Sequence, residues 1–288
     1  MESSELIKKV RKIEIRTRAL SRQIFAGQYH SAFKGRGMAF SEVRQYHYGD
    51  DIRFIDWNVT ARFNQPYIKI FEEERELTVI LLIDVSGSNL FGTQSQFKSD
   101  LIIELAAVLS FSAIHNNDKV GVIFFSDKVE KFIPPKKGKT HILRIIRELI
   151  NHEPTQNQTN IGEALKYLTN AIKKKCTAFI ISDFIQKDYE QALKIAANKH
   201  DMVALQIADQ GEGKIPNLGL IKLQDPESRK YFLADTSDVS VRQAYEVWWN
   251  NLRKQNKELF QRVGVDMATL YTGQDYVKGL TELFKRRG

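Results

Sequence analysis

The sequence predicts an α/β protein built on a doubly wound, mostly parallel β-sheet. Residues 79–83 and 120–125 are apolar runs without the alternation of a half-buried strand, so both are predicted to be strands covered on two faces. Segments with helical spacing of apolar residues follow or precede them at about 97–114, 140–151 and 160–175. Strands that alternate with helices are typical of a doubly wound sheet with right-handed crossovers.

The order of these elements predicts three parts in the chain. Residues 1–76 form an N-terminal helix and a connecting segment packed on the core, residues 77–210 form the α/β domain, and residues 211–288 form an extension that completes the same domain. A short strand at residues 129–133 is predicted to end at the two prolines that follow it, because proline cannot donate to a strand ladder. A hairpin is predicted around residues 225–228.

The composition is that of an ordinary globular protein, with 42% apolar and 27% charged residues in a chain of 288. Its single cysteine, Cys176, excludes an internal disulfide framework and a multi-cysteine metal site. No apolar run approaches the roughly 18 residues of a membrane-spanning helix, and the N-terminus lacks the apolar core of a signal peptide. We therefore expect a cytoplasmic protein without a transmembrane segment.

The net charge of +8 is spread along the chain. Lys and Arg exceed Asp and Glu by three in residues 1–77, by two in residues 78–210 and by three in residues 211–288. This even spread favours a solvated surface over a nucleic-acid site, so no nucleic-acid partner is expected. Residues 4–24 predict a basic amphipathic helix that packs on its own protein, with contact to a membrane surface or to a partner as the alternatives.

Hard oxygen ligands follow the first buried strand. The strand ends in Asp84, and the hydroxyls of Ser86 and Ser88 come two and four residues later. Ligands of open parallel sheets bind at the carboxyl ends of strands, and oxygen atoms of this kind are the ligands that Mg²⁺ prefers. The alternative is that Ser86 and Ser88 cap the next helix while Asp84 is hydrogen-bonded locally.

Two further loops are expected at the same edge of the sheet. Thr159 or Asn160 begins a helix, and Asp183 ends the strand predicted at residues 177–182. Two carboxylates and three hydroxyls around one point would form an octahedral oxygen site with room for waters or one outside ligand.

This constellation resembles the metal-ion-dependent adhesion site of von Willebrand factor A (VWA) domains. The resemblance implies a Rossmann-like VWA sheet and a divalent cation, Mg²⁺ or else Mn²⁺ or Ca²⁺, whose coordination a partner's carboxylate completes. Carried over, it makes the candidate ligands Asp84, Ser86, Ser88, Thr159 and Asp183. Thr155 is the competing threonine. The sequence departs from the family at Asn157 and Gln158, where two glycines often stand.

A second and longer pattern covers residues 35–76. It comprises Gly35-Arg36-Gly37-Met38-Ala39-Phe40-Ser41-Glu42-Val43-Arg44, Tyr46, Gly49-Asp50-Asp51, Arg53, Ile55-Asp56-Trp57, Thr60-Ala61-Arg62 and Glu72-Glu73-Glu74. This pattern resembles the bacterial family named domain of unknown function 58 (DUF58). The resemblance implies a VWA-like protein that works with a MoxR-type AAA+ ATPase on an unknown protein client, in a chaperone or complex-maturation role.

The second pattern contains a dense set of charged and aromatic groups. Its members are Asp50, Asp51, Arg53, Asp56, Trp57 and Arg62. Charge-assisted hydrogen bonds among them around the tryptophan could form a partner-binding surface, or an ion-pair network that fastens the N-terminal segment to the sheet domain. The second interpretation is favoured.

Two other function classes are the alternatives, a metal-dependent hydrolase and a basic nucleic-acid-binding protein. Asp50, Asp51, Asp56 and Asp183 could supply an acid/base pair, and a metal could activate water. The six histidines, however, show no metal-ligand spacing, and no nucleophile elbow or phosphate-binding loop is present. The sequence therefore predicts a cytoplasmic, non-catalytic protein-interaction module with a divalent cation.

Overall fold

The computed structural model of the chain describes residues 10–17, 38–73, 76–90, 92, 97–153, 158–186, 188–224 and 231–287. The chain divides into two compact units, one of residues 34–77 and the other of residues 1–33 with 78–288. The boundaries that the sequence predicts within the chain stay predictions. The ends of the helix predicted at residues 4–24 lie outside the described residues.

The described residues contain the following strands: β1 Met38–Gln45, β2 Tyr67–Glu73, β3 Thr78–Asp84, β4 Lys119–Phe125, β5 Val129–Lys136, β6 Thr177–Ser182, β7 Asp201–Ala208, β8 Leu220–Gln224, β9 Tyr231–Asp235 and β10 Asp266–Tyr271. They also contain α1 at residues 10–17 and the helices α2 Trp57–Phe63, α3 Lys98–His115, α4 Lys139–Ile150, α5 Ile161–Ala171, α6 Glu190–Lys199, α7 Val239–Val263 and α8 Tyr276–Arg287. Short 3₁₀ turns span Ile52–Phe54, Gly87–Leu90 and Gln210–Gly213.

Six of the described strands form one sheet in the order β10-β7-β6-β3-β4-β5. All neighbouring pairs are parallel except β4 and β5, which are antiparallel. The predicted α/β class with a doubly wound, mostly parallel sheet is therefore confirmed. Strands β4 and β5 follow β3 on one side of it, and β6, β7 and β10 lie on its other side. The direction in which the chain adds strands therefore reverses between β3 and β6. Ligands of doubly wound sheets bind at such a switch point.

The apolar residues of β3 lie in the centre of the core. Every residue from Val79 to Ile83 has no exposed surface, as expected for a strand between two neighbours with helices on both faces. On one face, Ile80 and Leu82 pack in a cluster that includes residues of α5 and α6. A rigid, fully buried strand thus fixes the position of the residue that ends it.

Two element boundaries differ from the prediction. Strand β5 continues through Pro134 and Pro135 to Lys136, because it lies at the edge of the sheet, where a missing backbone N–H costs no ladder bond. Helix α5 ends at Ala171, whereas the sequence predicts helix to residue 175.

The last part of the chain adds an edge strand to the same sheet. β10 pairs with β7, and α8 packs closely on it: a Cβ atom at Gly279 would lie 2.6 Å from Leu270 Cδ2. Glycine permits this close approach because it has no side chain. Strands β8 and β9 form the predicted hairpin, although residues 225–230 at its tip lie outside the described residues.

The described part of the basic first helix contacts its own protein. Arg16 Nη1 lies 2.8 Å from Glu104 Oε1 of α3, and Lys139 Nζ at the start of α4 lies 2.6 Å from Glu14 Oε1. Thr17 is fully buried, whereas Ile15 is exposed. These contacts agree with the packing interpretation of this helix and leave its contact with a membrane untested. None of the helices in the described ranges combines the length and apolar character needed to cross a membrane.

The unit of residues 34–77 is built on an antiparallel pair of strands. β1 and β2 pair along their length with an irregularity between Phe40 and Glu42. Between them lie a 3₁₀ turn and α2, whose N-terminus is capped by the side chain of Asp56. Short elements joined by turns are what the glycine-rich sequence of this region predicts.

Candidate metal centre

Asp84 lies at the end of β3 with 1% of its surface exposed. Its Oδ1 accepts a hydrogen bond of 3.0 Å from the backbone N–H of Ser86, and its Oδ2 accepts one of 2.6 Å from Ser182 Oγ. Both carboxylate oxygens are therefore held in place, one by the loop after β3 and the other by the end of β6.

The two serines after β3 present their hydroxyls together. Ser86 Oγ and Ser88 Oγ lie 3.1 Å apart, and both residues are buried. Asn89 stabilises the turn by donating from Nδ2 to the Asp84 carbonyl at 2.8 Å. The helix that follows has Phe97 at its N-cap without a side-chain cap bond. The two serines therefore do not cap that helix, whereas Asp84 does form the local hydrogen bond that this alternative predicts.

The loop after β6 brings a second carboxylate to the same edge. Asp183 is 5% exposed, its Oδ1 accepts a 3.3 Å hydrogen bond from the backbone N–H of Ile185, and its carbonyl accepts one of 3.1 Å from Gln206 Nε2. Ser182 joins the two strand ends, because it donates to Asp84 and accepts from the Phe184 N–H at 3.2 Å. The sequence places Ser182 in this loop but does not predict that it holds Asp84.

Thr159 approaches this edge from the loop before α5. The next residue, Asn160, caps the helix and donates its N–H to the carbonyl of Ser126 at the end of β4, at 2.6 Å. The N–H of Ile161 donates to Gln186 Oε1 in the loop after β6, also at 2.6 Å. Thr159 is 9% exposed, and its Oγ1 has no hydrogen-bond partner among the described residues. The competing Thr155 lies outside them.

A buried lysine forms part of this edge, and the sequence prediction missed it. Lys98 begins α3 with no exposed surface; its Nζ lies 3.2 Å from Asp183 Oδ2 and also contacts Glu212 Oε1. Glu212 belongs to the 3₁₀ turn after β7, where its other oxygen accepts the N–H of Asp209 at 2.8 Å. A signal was present in the sequence, because a lysine in the first turn of an apolar helix opposes the helix dipole and needs an acidic partner.

The charges at this edge are unevenly compensated. Burial, together with the nearby charge of Asp183, raises the pKa of Asp84 to about 7. Burial would lower the pKa of Lys98, but the charges of Asp183 and Glu212 outweigh burial, and its pKa is raised. Lys98 is therefore charged and neutralises part of the acidic surface. Asp84 has hydrogen bonds but no cation beside it among the described contacts.

We call the five predicted ligands the switch-point site: Asp84, Ser86, Ser88, Thr159 and Asp183. The structure joins the first three by hydrogen bonds and couples Asp183 to Asp84 through Ser182 and their charges. Backbone bonds bring Thr159 to the adjoining loops. In the described ranges no three His, Cys, Asp or Glu side chains form a group suited to a metal, so a cation here would depend on hydroxyl ligands. Buried hydroxyls and a carboxylate without a counter-charge fit a small, hard cation.

The charged residues of the second sequence pattern form separate local pairs. The guanidinium of Arg44 binds both oxygens of Asp50 at 2.8 and 2.9 Å, and Arg53 binds the carboxylate of Asp51 two residues away. These pairs lower the pKa of Asp50 and lower that of Asp51 to about 2.

The tryptophan of this pattern is not the centre of a network. Trp57 is 71% exposed and Arg62 is exposed, whereas Asp56 is buried and accepts from the N–H groups of Asn58 and Val59. Lys69 Nζ lies 3.5 Å from Asp56 Oδ2. The expectation that these groups gather around Trp57 is corrected: they are stabilised by neighbours in sequence and in strand pairing, which leaves the ring free for other contacts.

Comparison with known proteins gives a family and a fold. The family model described as "Protein of unknown function DUF58" matches residues 42–256. An uncharacterized protein of Mycobacterium bovis is 27% identical over 231 residues, which cover 79% of this chain and 73% of that protein.

The solved structures show similarity in fold alone. The conserved hypothetical protein BatB from Bacteroides thetaiotaomicron matches with a TM-score of 0.50 and 16% identity, covering 73% of this chain and 98% of that chain. The VWA domain of SpRpn10 matches with a TM-score of 0.37 and 11% identity, covering 73% of this chain and 94% of that chain. At that score the second similarity supports no inference, and the fold similarity rests on the first match.

The raised pKa of Asp84 predicts a pH dependence in the metal-free protein. Its folded-state pKa of about 7 lies above the value of about 3.9 for an unfolded chain, so the folded state retains the proton between these pH values. Raising the pH from about 4 to about 7 should therefore remove up to about 1.4 kcal/mol of stability per pH unit. Urea unfolding in EDTA should show this fall in the wild type and a smaller fall in Asp84→Asn.

Asp51→Asn is the matched control for this titration. The pKa of Asp51 is lowered to about 2, so its stabilising contribution is complete above about pH 4 and disappears only at more acidic pH. Between pH 5 and 8 this variant should follow the wild type. A wild type and Asp84→Asn with parallel profiles would contradict the assignment.

Lys98→Met tests the buried ion pairs. The substitution keeps an unbranched side chain but leaves Asp183 and Glu212 buried without their cation, so we expect a loss of about 3–5 kcal/mol in the free energy of unfolding. Because the ammonium no longer competes for Asp183, Mg²⁺ should stabilise this variant more than it stabilises the wild type. Both effects are measured by urea unfolding with EDTA and with Mg²⁺.

Lys194→Met provides the comparison, since Lys194 pairs with Glu190 at the surface of α6. Its loss should stay within about 0.5 kcal/mol. Equal losses in the two variants would show that Lys98 adds nothing beyond a surface ion pair.

Proposed function

The chain belongs to the DUF58 family, and we propose that it is a non-catalytic protein-interaction module with a divalent cation at the switch-point site. Mg²⁺ is the favoured ion, with Mn²⁺ or Ca²⁺ as alternatives. The cation would be held by Asp84, the two serines and Thr159, with Asp183 nearby. A carboxylate of a partner protein would complete its coordination.

The observation that carries this proposal is the buried hydroxyl of Thr159. A buried polar atom without a hydrogen-bond partner is unfavourable by about 1–3 kcal/mol and needs an explanation. Its Oγ1 has no partner among the described residues. Its loop is bonded to Ser126 at the end of β4, the neighbour of β3, and to Gln186 in the loop after β6 that carries Asp183. A cation at this edge would use the free oxygen of Thr159 and compensate the charge of Asp84.

The ion pairs of Lys98 explain why an outside carboxylate would be attracted. Lys98 already neutralises part of the charge of Asp183 and Glu212. A divalent cation beside Asp84 would therefore keep part of its positive charge. An acidic side chain of a partner would compensate that charge, and the buried, low-dielectric surroundings would strengthen the attraction.

The described residues offer little support for nucleophilic chemistry. Cys176 is buried, and burial raises the pKa of its thiol to about 12, so the reactive thiolate is scarce at neutral pH. Asp50 and Asp51, two of the candidate acid/base groups, each bind a neighbouring arginine. These features favour binding over catalysis.

The partner and the cellular role follow from the family resemblance. A MoxR-type AAA+ ATPase is the proposed partner, and an unknown protein is the proposed client of a chaperone-like maturation step. The cytoplasm is the proposed compartment. The interaction would then be switched by the cation, since the partner's carboxylate would contact the metal itself.

A thermal melt tests the cation. Mg²⁺ or Mn²⁺ at about ten times its dissociation constant should stabilise the wild type by about 1.4 kcal/mol relative to EDTA, a shift of roughly 3–5 °C. Asp84→Ala should lose the shift, and Thr159→Ala should reduce it. Thr155→Ala is the matched control and should retain the wild-type shift. The reverse order of the two threonines would show that the other one is the ligand.

Capture of a purified MoxR-type ATPase tests the partner. The immobilised chain should retain the ATPase in Mg²⁺ and release it in EDTA, because the proposed contact passes through the cation. Asp84→Ala should not retain it, and Lys194→Met, which changes only a surface ion pair, should. Retention by Asp84→Ala in EDTA would show that the two proteins meet through another surface.

A further inference from the structure

A groove runs along the open edge of β10. Its floor is formed by residues 267–269 of the strand, and its walls come from α7 on one side and α8 on the other. The cavity has a volume of about 860 Å³, within the range of ligand-binding clefts. We call this feature the basic groove, because its walls carry Arg253, Lys254, Lys257, Lys285 and Arg286.

The walls of the basic groove have one sign of charge. Glu282 is the one acidic residue among those that line the cavity, against five cationic residues. Lys257 and Lys285 are exposed and form no ion pair with any described residue, and Lys254 has only a distant pair of 3.9 Å with Glu258. The net charge of the chain is spread evenly in sequence, but folding concentrates five cations here.

Two arginines of the walls are held against β10. Arg253 donates to the hydroxyl of Tyr271, and its guanidinium lies 5.5 Å from the centre of that ring. Arg286 Nη2 donates to the carbonyl of Met267 at 3.2 Å. A backbone carbonyl of β10 thus faces the groove and accepts a side-chain donor.

The floor is the outer edge of a sheet. β10 pairs with β7 on one side only, and no other described strand pairs with it. An unpaired edge presents backbone donors and acceptors to any extended chain that reaches it. Its six residues span about 20 Å, enough for a short peptide strand.

We propose that the basic groove binds an extended, acidic segment of a protein partner, which adds to β10 as a further strand. Backbone hydrogen bonds to β10 would supply affinity, and acidic side chains of the segment would pair with the lysines and arginines of the two walls. The charge complementarity and the unpaired strand edge together indicate this occupant.

The basic groove adjoins the switch-point site. Gln206 lines the groove, accepts a 3.0 Å hydrogen bond from Thr269 on the floor and donates from Nε2 to the carbonyl of Asp183. One partner could therefore contact both places. The groove proposal itself does not require the cation, since none of its walls belongs to the switch-point site.

Fluorescence anisotropy with a labelled peptide tests the proposal. The probe is a short peptide of alternating glutamate and valine, titrated with the full chain in EDTA so that the outcome is independent of any metal. We expect saturable binding that weakens with added salt. Lys257→Glu/Lys285→Glu should weaken it about tenfold or more. Lys173→Glu/Lys174→Glu, exposed and outside the groove, makes the same change in net charge and should leave binding unchanged.

Three further probes separate the alternatives. A peptide with prolines at its central valines cannot donate to the strand and should bind about tenfold more weakly; equal binding would overturn strand addition. Inorganic phosphate and a single-stranded DNA oligonucleotide should compete only weakly. If either binds in the groove while the acidic peptide does not, the occupant is a different polyanion and the proposal is wrong.

Discussion

Two carboxylates end the adjacent parallel strands β3 and β6, and the surrounding structure compensates for their burial. Neither carboxylate could be buried in its ionised form without compensating interactions, because an isolated buried carboxylate is strongly unfavourable. The two carboxylates are compensated differently: Asp183 receives the ammonium of Lys98, and Asp84 receives a hydroxyl and a backbone N–H. Glu212 holds the other side of Lys98. Of the two carboxylates, only Asp183 therefore has a cationic side chain beside it among the described contacts.

The sequence allowed the fold to be predicted because its signals are local. Apolar runs, helical spacing and residues at strand ends all lie within short windows, and they are sufficient to predict the sheet class and the residues at its edge. Lys98 and Gln206 were missed because their roles depend on contacts with Asp183, which lies 85 positions after one and 23 before the other. The course of β5 was mispredicted since the sequence does not reveal which strand lies at an edge.

Both proposed sites would select the same kind of partner. A cation beside Asp84 would attract a single carboxylate, and the basic groove would attract an acidic stretch. Complementary charge mainly increases the rate of association and favours correct orientation, and Gln206 joins the two places through hydrogen bonds to the Asp183 carbonyl and to Thr269. An acidic surface could therefore be drawn to this edge first and be fixed by the cation afterwards.

The two ends of the six-stranded sheet also differ in how they avoid aggregation. At one end, Pro134 and Pro135 remove donors from β5 and make it a poor template for another strand. At the other end, β10 retains its donors, but a second copy of this chain would bring its own lysines and arginines against the same walls. Like charges would repel. Both edges of the sheet would therefore disfavour pairing with a second copy of this chain, while the β10 edge would accept a strand of opposite charge.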